Sequence, residues 1–533
     1  MGSLITKAEA IGVSGNLLSS SVSRGNSESR PPVAEGAGGS GGGRALGNGA
    51  LLAYAGCVLL MVLLGLLGPS AVEPSFGPAG YLPPWFWNVR PPDLLIWVLV
   101  AVVLIVGTAT VIAGLAATRR GWSPRPRTLL TAGTLAVLGL ICVPPLGTTD
   151  PLNYAAYGRM AALGLDPYRV TPFGLARHGD PIGQLSIAEP WLHNPSVYGP
   201  LVTATEWAAS LVGGTSMLLT VWVLSLLSGA AFVATGALLL RLAGPDPQRQ
   251  VRSQLLWTLN PVLLWNLVVG PHVDVLGAFC VVVAFWALRR SGLAVGLALA
   301  AATAVKLTLG IFALPFAWGM RHDRRRLVAA ASAGALLLAL GYGIVPRAIR
   351  NAAAVSNQPV VGSPWPLLQR RLLTPVFGSA AVHLVPVVEI LMVLGIAALL
   401  LVALPPVEDG AIVQATARPA LALAAGYLLG TAYVRPWYDA VAWILVAMLP
   451  RSWFDLVLIA HTTCMTLPFD PGLPYPMHPD WLNYVVLQTG YRAMPYLQAL
   501  LLMAVVAICL RQIRSRRAVR DDDESLSGAP PRV

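Results

Sequence analysis

Long apolar runs separated by short polar intervals make up most of the chain after residue 50. Most runs approach the roughly 20 residues that a helix needs to cross a bilayer. Spans are predicted near residues 50–68, 94–118, 128–146, 216–241, 253–270, 274–288, 327–346, 379–404, 418–434, 438–450, 452–468 and 494–511. The apolar interval 293–318 carries Lys306 near its centre and arginines on both flanks, which favours two short helices that return to the same side. The pattern predicts an all-α polytopic membrane protein with about 12–14 membrane segments.

The segments outside the predicted membrane domain, residues 50–511, differ in composition and length. Residues 1–49 are rich in Gly and Ser and predict a disordered tail without a signal-peptide pattern, and residues 512–533 predict a second tail. Arginines gather in short loops on one side, so the positive-inside rule makes that side and both termini cytoplasmic. The long loops 69–92, 147–215, 347–378 and 469–493 then face the extracytoplasmic side, where they could form an active site.

Composition supports the membrane class and excludes several others. The 533 residues are 56% hydrophobic and 11% charged, whereas soluble domains carry roughly 25% charged residues. The net charge of +12 lies in the short loops, so nucleic-acid binding is not predicted. Five cysteines lie inside apolar runs without metal-ligand or disulfide spacing. Nucleotide-binding and common hydrolase motifs are absent, so no cofactor is predicted, and the need for a divalent metal is left open.

The segment Gly147–Pro172 opens a long polar interval directly after a predicted span. Its first acid, Asp150, is expected at the membrane surface. It can be a solvated helix cap or a catalytic carboxylate. Tyr154, Tyr157 and Arg159 follow at spacings that would bring much of the set to the side of Asp150 on one helix. We therefore select Asp150 as the candidate catalytic residue and these three as substrate-binding candidates.

The rest of this loop supplies further candidates. Asp166 and Tyr168 belong to the turn GLDPY, whose Gly and Pro favour an architectural role. The segment EPWLHNPSVYGP, residues 189–200, is rich in rigid and aromatic residues and could line the same pocket. It contributes Tyr198 as a candidate and His193 as a weaker one.

Polar residues inside or between the apolar runs form a second group. His272 and Asp274 follow Gly270 and Pro271 between two predicted helices. Two ligands are too few for a metal site, so they either cap the turn or contact substrate. Lys306 is costly at membrane depth, and it either marks a functional pair or extends to the cytoplasmic surface.

Cations near the outer ends of later spans could bind an anionic headgroup. Arg435 is followed by Trp437 and Tyr438, in a position typical of an interfacial aromatic belt. Arg370 and Arg371 are rival candidates in the loop before the span 379–404. An arginine at this depth can hold a phosphate.

Five blocks together resemble a known family. They are TTDPLNYAAYGRMAALGLDPYRVTP, SVYGPL, LNPVLLWNLVVGPHVDVLGAF, AVKLTLGIFALPF and RPWYDAVAW, which occur in that order between about residues 145 and 445. In these blocks the sequence resembles the actinobacterial polyprenyl-phosphomannose-dependent α-1,6-mannosyltransferases of the MptA and MptB type. Those proteins are integral-membrane glycosyltransferases of the GT-C class.

The resemblance implies a substrate and a site. The donor would be mannose on a polyprenyl phosphate, and the acceptor an α-1,6-mannan of lipomannan or lipoarabinomannan. The catalytic carboxylate would lie in the first substantial extracytoplasmic loop, where Asp150 fits. One departure is that an Asn is expected between His272 and Asp274, where Val273 stands. Another is the loop 69–92. Its acids are Glu73 and, at its edge, Asp93, and neither lies in a recognisable motif of the family.

The resulting hypothesis is an inverting transfer. Asp150 takes the proton of the attacking sugar hydroxyl, and Arg435, Lys306 or the pair Arg370 and Arg371 stabilises the leaving phosphate. Two alternatives stay open: a GT-C transferase for another polyprenyl-phosphate sugar or acceptor, and a lipid or solute transporter. Long loops on one face only, and no detectable inverted repeat, count against the transporter.

Overall fold

A computed structural model of the chain describes residues 39–188, 190–356, 359–360, 362–408, 410–467 and 477–527. The regular elements in these ranges are all helices, and the extended pairing within them is a single bridge between Ser70 and Glu73. The prediction of an all-α polytopic membrane protein is confirmed. The predicted tail before residue 39, the end of the chain after residue 527 and residues 468–476 lie outside the described residues.

The described chain folds into 23 α-helices joined by short turns. The helices up to residue 264 are α1 (Gly39–Leu67), α2 (Asp93–Arg119), α3 (Pro126–Leu140), α4 (Asp150–Ala162), α5 (Pro172–Arg177), α6 (Pro181–Leu185), α7 (Pro200–Gly213), α8 (Met217–Leu242), α9 (Pro247–Leu256) and α10 (Pro261–Leu264). The later helices are α11 (Asp274–Ala287), α12 (Gly292–Val305), α13 (Ala313–Gly319), α14 (Arg324–Ile344), α15 (Arg347–Ser356), α16 (Trp365–Leu368), α17 (Thr374–Phe377), α18 (Ala381–Ala403), α19 (Ile412–Gly430), α20 (Ala440–Met448), α21 (Phe454–Thr466), α22 (Asp480–Gln488) and α23 (Met494–Ser527).

Seven of the described helices are long and apolar enough to cross a membrane. They are Gly41–Leu67, Asp93–Arg119, Met217–Leu242, Arg324–Ile344, Trp365–Ala403, Ile412–Gly430 and Asp480–Ala518. A bent pair, Pro261–Val269 with Asp274–Ala287, can form an eighth span. The segments Pro436–Met448 and Phe454–Thr466 are shorter than the roughly 20 residues that a full crossing needs. The predicted spans 438–450 and 452–468 are therefore helices that do not cross the whole layer on their own.

The short helix α20 shows why such apolar segments exist. Every residue from Ala440 to Met448 is buried, and the helix packs against α19, α11 and α9. A helix that is apolar on all sides is stable only when it is surrounded. α20 therefore lies inside the bundle rather than against lipid.

The predicted continuous span 253–270 is wrong. Helix α9 ends at Leu256, α10 begins at Pro261, and a wide π-helical turn follows to Val269. The side-chain oxygen of Asn260 accepts hydrogen bonds from the N–H groups of Val262 and Leu263, which starts a new helix with proline at its first position. The chain then bends by 111° before α11. Apolar residues on both sides conceal these breaks from a hydropathy pattern.

The interval 293–318 leaves one end of the bundle and returns to it. Helices α12 and α14 run parallel. At their starts, a Cβ at Gly292 would overlap the carbonyl oxygen of Arg326. Near their ends, the Tyr342 hydroxyl donates to the carbonyl oxygen of Thr303 at 2.7 Å. The arginines before α12 and at the start of α14 therefore lie at the same end, as predicted. The returning helix α13 packs against α19 rather than against α12, so the two do not form a packed hairpin.

The contact between α12 and α14 depends on glycine. A Cβ at Gly296 would overlap the backbone of Ala330, so we expect Gly296→Val to destabilise the protein by about 3 kcal/mol through overpacking. The measurement is the midpoint of thermal unfolding in detergent. Gly395→Val is the matched control, since a Cβ there would meet nothing within 4 Å. Equal midpoints for the two variants would contradict the close packing of these helices.

Both predicted tails are partly helical. Helix α1 begins at Gly39, so the prediction of disorder up to residue 49 is wrong for residues 39–49. A Cβ at Gly43 or Gly47 would overlap Arg120 or Trp122. These glycines therefore permit close packing rather than disorder. At the other end, α23 continues to Ser527, so the predicted tail 512–533 is helical as far as that residue.

The long loops also contain helices. Loop 147–215 holds α4 to α7, and α7 packs against α4, α8 and α12 to cover one end of the bundle. Loop 347–378 contributes α15, where the Asn351 side chain donates to the carbonyl oxygens of Tyr168 at 3.1 Å and Ser196 at 2.9 Å. The two loops are thereby joined over the same end of the bundle.

Candidate active site

The turn that precedes α4 is fixed by three backbone contacts. The N–H of Leu146 donates to the carbonyl oxygen of Val269 at 3.1 Å, and that of Gly147 donates to Val72 at 2.8 Å. Gly147 has a φ of 73°, which favours glycine. The N–H of Asp150 then donates to the Thr148 hydroxyl at 3.1 Å. These contacts hold Asp150 as the first residue of α4, the first helix of loop 147–215.

The carboxylate of Asp150 has two close partners and little access to solvent. Its Oδ2 accepts a hydrogen bond from the Tyr154 hydroxyl at 3.3 Å and lies 3.6 Å from Nε2 of His272, with the side chain 14% exposed. Burial raises the pKa of Asp150, while Arg435, the Tyr154 hydrogen bond and Lys306 each lower it. Such a carboxyl can accept a proton more readily than an exposed one.

His272 occupies the bend between α10 and α11. Its Nδ1 lies 2.6 Å from the carbonyl oxygen of Asn266. Its ring stacks on Trp437, with centroids 3.6 Å apart and an interplanar angle of 11°. The imidazole is therefore fixed in position and in orientation, with Nε2 towards Asp150.

Lys306 and Asp274 form a buried ion pair. The Lys306 ammonium lies 2.9 Å from Asp274 Oδ1, with side-chain exposures of 18% and 8%, and it covers the face of the Tyr438 ring. Lys306 has extended backbone between α12 and the next helical turn, so it is at the end of α12 remote from Arg326. Of the two interpretations of Lys306, the structure matches the paired one rather than extension to the arginine-rich surface.

A cavity begins at this ion pair. It combines the charged ends of Asp274 and Lys306 with an otherwise mainly apolar lining. The apolar part includes Leu309, Phe312 and Leu428. The cavity could take a ligand with a charged group attached to a hydrocarbon chain.

Arg435 brings a second cation to the site. Its guanidinium lies over the rings of Tyr433 and Trp191, 5.1 and 5.5 Å from their centroids. Its charge acts on Asp150 and on Lys306. The site therefore combines a buried carboxylate with two cations, which suits chemistry on an anionic substrate.

The structure brings most of the predicted site residues together. Tyr198 packs edge-on against Tyr154, with ring centroids 5.3 Å apart. The cluster around Asp150 thus contains Tyr154, Tyr198, His272, Asp274, Lys306, Arg435, Trp437 and Tyr438.

The other predicted residues lie in the surrounding loops. The Tyr157 hydroxyl donates to the carbonyl oxygen of Asn194 at 2.9 Å, and Arg159 pairs with Asp180 at 2.8 Å. The Tyr168 hydroxyl donates to the carbonyl oxygen of Tyr198 at 3.1 Å. Asp166 pairs with Arg169 at 3.2 Å, and the His193 ring contacts the Phe173 ring at a tilt of 58°. Arg370 and Arg371 are exposed on the turn Gln369–Leu373.

Two groups that support the site were not selected from the sequence. Asp439 lies in the turn that carries Trp437 and Tyr438, and its Oδ2 is 3.0 Å from Nδ1 of the buried His461. Glu389 accepts a hydrogen bond from the Thr431 hydroxyl, shortly before Arg435. Glu389 had a sequence signal, because it is an acid inside an apolar span. His461 had a similar signal, because it is an ionisable residue inside the predicted span 452–468, but its pairing with Asp439 depends on the fold.

No group of three His, Cys, Asp or Glu side chains that could hold a metal ion occurs among the described residues. Asp150 and Asp274 each have a neighbouring base or cation rather than a second carboxylate. This arrangement is typical of acid–base chemistry with charge stabilisation by side chains.

Residues 44–322 match the model of the MptA_B family, described as alpha-(1->6)-mannopyranosyltransferase, N-terminal domain. A probable alpha-(1->6)-mannopyranosyltransferase of Mycolicibacterium smegmatis is 33% identical over 138 residues, which are 26% of this chain and 24% of that protein. The alpha-(1->6)-mannopyranosyltransferase of Mycobacterium tuberculosis is 28% identical over 142 residues, 27% of this chain and 24% of its own length.

Alpha-(1->6)-mannopyranosyltransferase B of Corynebacterium glutamicum is 26% identical over 136 residues, 26% of this chain and 22% of that protein. The chain thus aligns with about a quarter of the length of these curated relatives. No solved structure matches the chain.

Proposed function

The chain belongs to the MptA_B family of alpha-(1->6)-mannopyranosyltransferases, and from this membership we propose that it transfers mannose from a polyprenyl-phosphate donor to an α-1,6-mannan acceptor. The acceptor would be the growing mannan of a lipomannan or lipoarabinomannan glycolipid. The observation that carries the proposal is the buried carboxylate of Asp150 beside two cations, Lys306 and Arg435, one of which begins a mainly apolar cavity.

Asp150 is the general base of the proposed reaction. It takes the proton from the acceptor hydroxyl as the hydroxyl oxygen attacks the anomeric carbon. Burial supports this role because it raises the pKa of the carboxyl towards the working pH. Direct displacement inverts the anomeric configuration and needs no second carboxylate.

Lys306 and Arg435 stabilise the leaving phosphate. The bond between the anomeric carbon and the phosphate oxygen breaks, and its electron pair stays on the phosphate. The added negative charge is favourable near two cations in a largely buried site. The apolar part of the cavity, with Leu309 and Phe312 near Lys306, suits the first units of the polyprenyl chain.

The active site is proposed to be extracytoplasmic. Helix α12 separates Lys306 from the end that carries Arg326, and its 14 residues span about 21 Å. The positive-inside rule makes the arginine-rich end cytoplasmic, so the site lies on the opposite side. A lipid-linked donor would supply an activated sugar there without a nucleotide.

The test of the proposal is a transfer assay with membranes that contain the protein. They are incubated with labelled polyprenyl-phosphomannose and a short α-1,6-mannoside, and label in the extended mannoside is the expected result. Parallel assays with other polyprenyl-phosphate sugars test the choice of sugar. Uptake of label into vesicles without a covalent product would favour transport and contradict the proposal.

Arg435 is expected to affect the pH dependence of the transfer. The pKa of Asp150 is raised by burial and lowered by the Arg435 charge, so removal of that charge raises it further. The reaction needs a site that can still take up a proton, and loss of the cation lets the site fill with protons at higher pH. In Arg435→Met the low-pH limb of kcat/KM therefore shifts to higher pH. The check compares the pH–rate profile of this variant with that of Arg177→Met, which removes an exposed arginine of loop 147–215. A shift to lower pH would contradict the assignment.

A further inference from the structure

The two nitrogens of His272 have different environments. Nδ1 lies 2.6 Å from the carbonyl oxygen of Asn266. A carbonyl can only accept, so Nδ1 carries the hydrogen. In the neutral ring Nε2 then carries the lone pair. Nε2 is buried without a hydrogen-bond partner among the described residues, and it lies 3.6 Å from Oδ2 of Asp150.

This geometry places two proton acceptors opposite one another. An imidazole lone pair and an ionised carboxylate would repel, and one proton between them removes that repulsion. Both groups are buried, with side-chain exposures of 3% and 14%. Burial disfavours the charged form of each group, so it raises the pKa of the carboxyl and lowers the pKa of the imidazole. A neutral carboxyl beside a neutral imidazole avoids an isolated buried charge. The facing acceptors therefore favour one titrating unit in which the two groups share a single proton.

The charges that face this unit come from several elements. Helix α4 contributes the Tyr154 hydroxyl, which donates to Asp150, and α11 contributes Asp274. Lys306, at the end of α12, acts on both Asp150 and His272. The segment after α19 contributes Arg435, which acts on Asp150. Trp437 stacks on the imidazole and fixes its plane. The surroundings thus hold the ring in one position, and the other nearby carboxylate, Asp274, is paired with Lys306.

We propose that His272 is a second catalytic residue, which accepts the proton of Asp150 while Asp150 accepts the proton of the attacking hydroxyl. The inference rests on the proposed transfer reaction and assigns His272 a role in it. The O–H bond of the acceptor breaks, and its proton binds the Asp150 oxygen that does not face the ring. The proton on the other oxygen moves to Nε2. The unit ends with one more positive charge, as the leaving phosphate gains one more negative charge.

The site explains why such a relay is useful. A buried carboxyl that already holds a proton cannot act as a base alone, and passing that proton to the imidazole restores its capacity. The imidazole also carries the new charge away from the reacting oxygen. One proton returns to solvent after the products leave, which restores the unit to its single proton.

The test is His272→Gln, which can form hydrogen bonds but cannot accept a proton. We expect the single-turnover rate of donor-loaded protein to fall by about 100-fold, with donor affinity within a factor of about three. His478→Gln, at an exposed histidine of the outer loops, should leave the rate unchanged. A rate within a factor of about three of wild type would overturn the relay. A fall caused entirely by weaker donor binding would also overturn it and leave His272 as a binding residue.

A second measurement separates the relay from a structural role. Single-turnover rates in mixtures of H₂O and D₂O should give a curved dependence on the deuterium fraction for wild type, because two protons move. The same plot should be linear for His272→Gln, where one proton moves. A linear plot for wild type would overturn the relay even if His272→Gln is inactive. Absence of transfer by wild type with every lipid-linked sugar would overturn the proposed function itself, and the relay with it.

Discussion

Replacement of Asp150 by Asn is expected to lower the transfer rate by about 10³-fold. Asn has the same shape as Asp, and its side-chain oxygen can still accept the Tyr154 hydrogen bond that the carboxylate accepts at 3.3 Å. The amide cannot take a proton from the attacking hydroxyl. The loss corresponds to about 4 kcal/mol of transition-state stabilisation. It should therefore appear in kcat, with donor affinity little changed.

The measurement compares Asp150→Asn with Asp480→Asn at equal expression in the mannoside assay. Asp480 is exposed in the first turn of α22, so its replacement changes a carboxylate that contacts solvent rather than the cluster around Asp150. Matching thermal midpoints in detergent would establish that both variants are folded. Full activity of folded Asp150→Asn would show that another group is the base.

The membrane architecture could be predicted because it depends on local sequence. Runs of apolar residues long enough to cross a bilayer identify α1, α2, α8, α14, α18, α19 and α23 almost directly. The out-and-back path of 293–318 followed from Lys306 and the flanking arginines, and the parallel packing of α12 and α14 agrees with it. The break at Asn260 had a local signal in the pair Asn260 and Pro261, which is typical of a helix start. A pattern based on hydropathy alone does not register it.

Residues of the candidate site could be predicted where a polar side chain is unusual for the apolar segment around it. Asp150 and His272 are polar groups at the ends of apolar runs, and Lys306 is a cation near the centre of one. The structure brings all three into one cluster. Arg159 stands out in the same way, but the structure pairs it with Asp180, 21 positions later. Which carboxylate lies beside which cation depends on the packing of α4 against distant helices. These pairings cannot be read from the residues that surround each position in the sequence.

Replacement of Lys306 by Met is expected to remove both activity and stability. Lys306 and Asp274 are largely buried, with 18% and 8% of their side chains exposed, so Met leaves the Asp274 carboxylate without its ammonium partner. Loss of one member of a buried pair costs about 3–5 kcal/mol. The leaving phosphate would also lose one of its two cations. We therefore expect a lower thermal midpoint and a transfer rate reduced by about 100-fold or more.

The double variant Lys306→Met with Asp274→Asn separates the two effects. It contains no unpaired charge at this position, so most of the stability should return, because removal of a whole buried pair is often close to neutral. The activity should stay low, because the cation at the cavity is still absent. Donor affinity and thermal midpoint are measured for the wild type, both single variants and the double variant. Recovery of activity together with stability would show that Lys306 holds the fold and does not act on the phosphate.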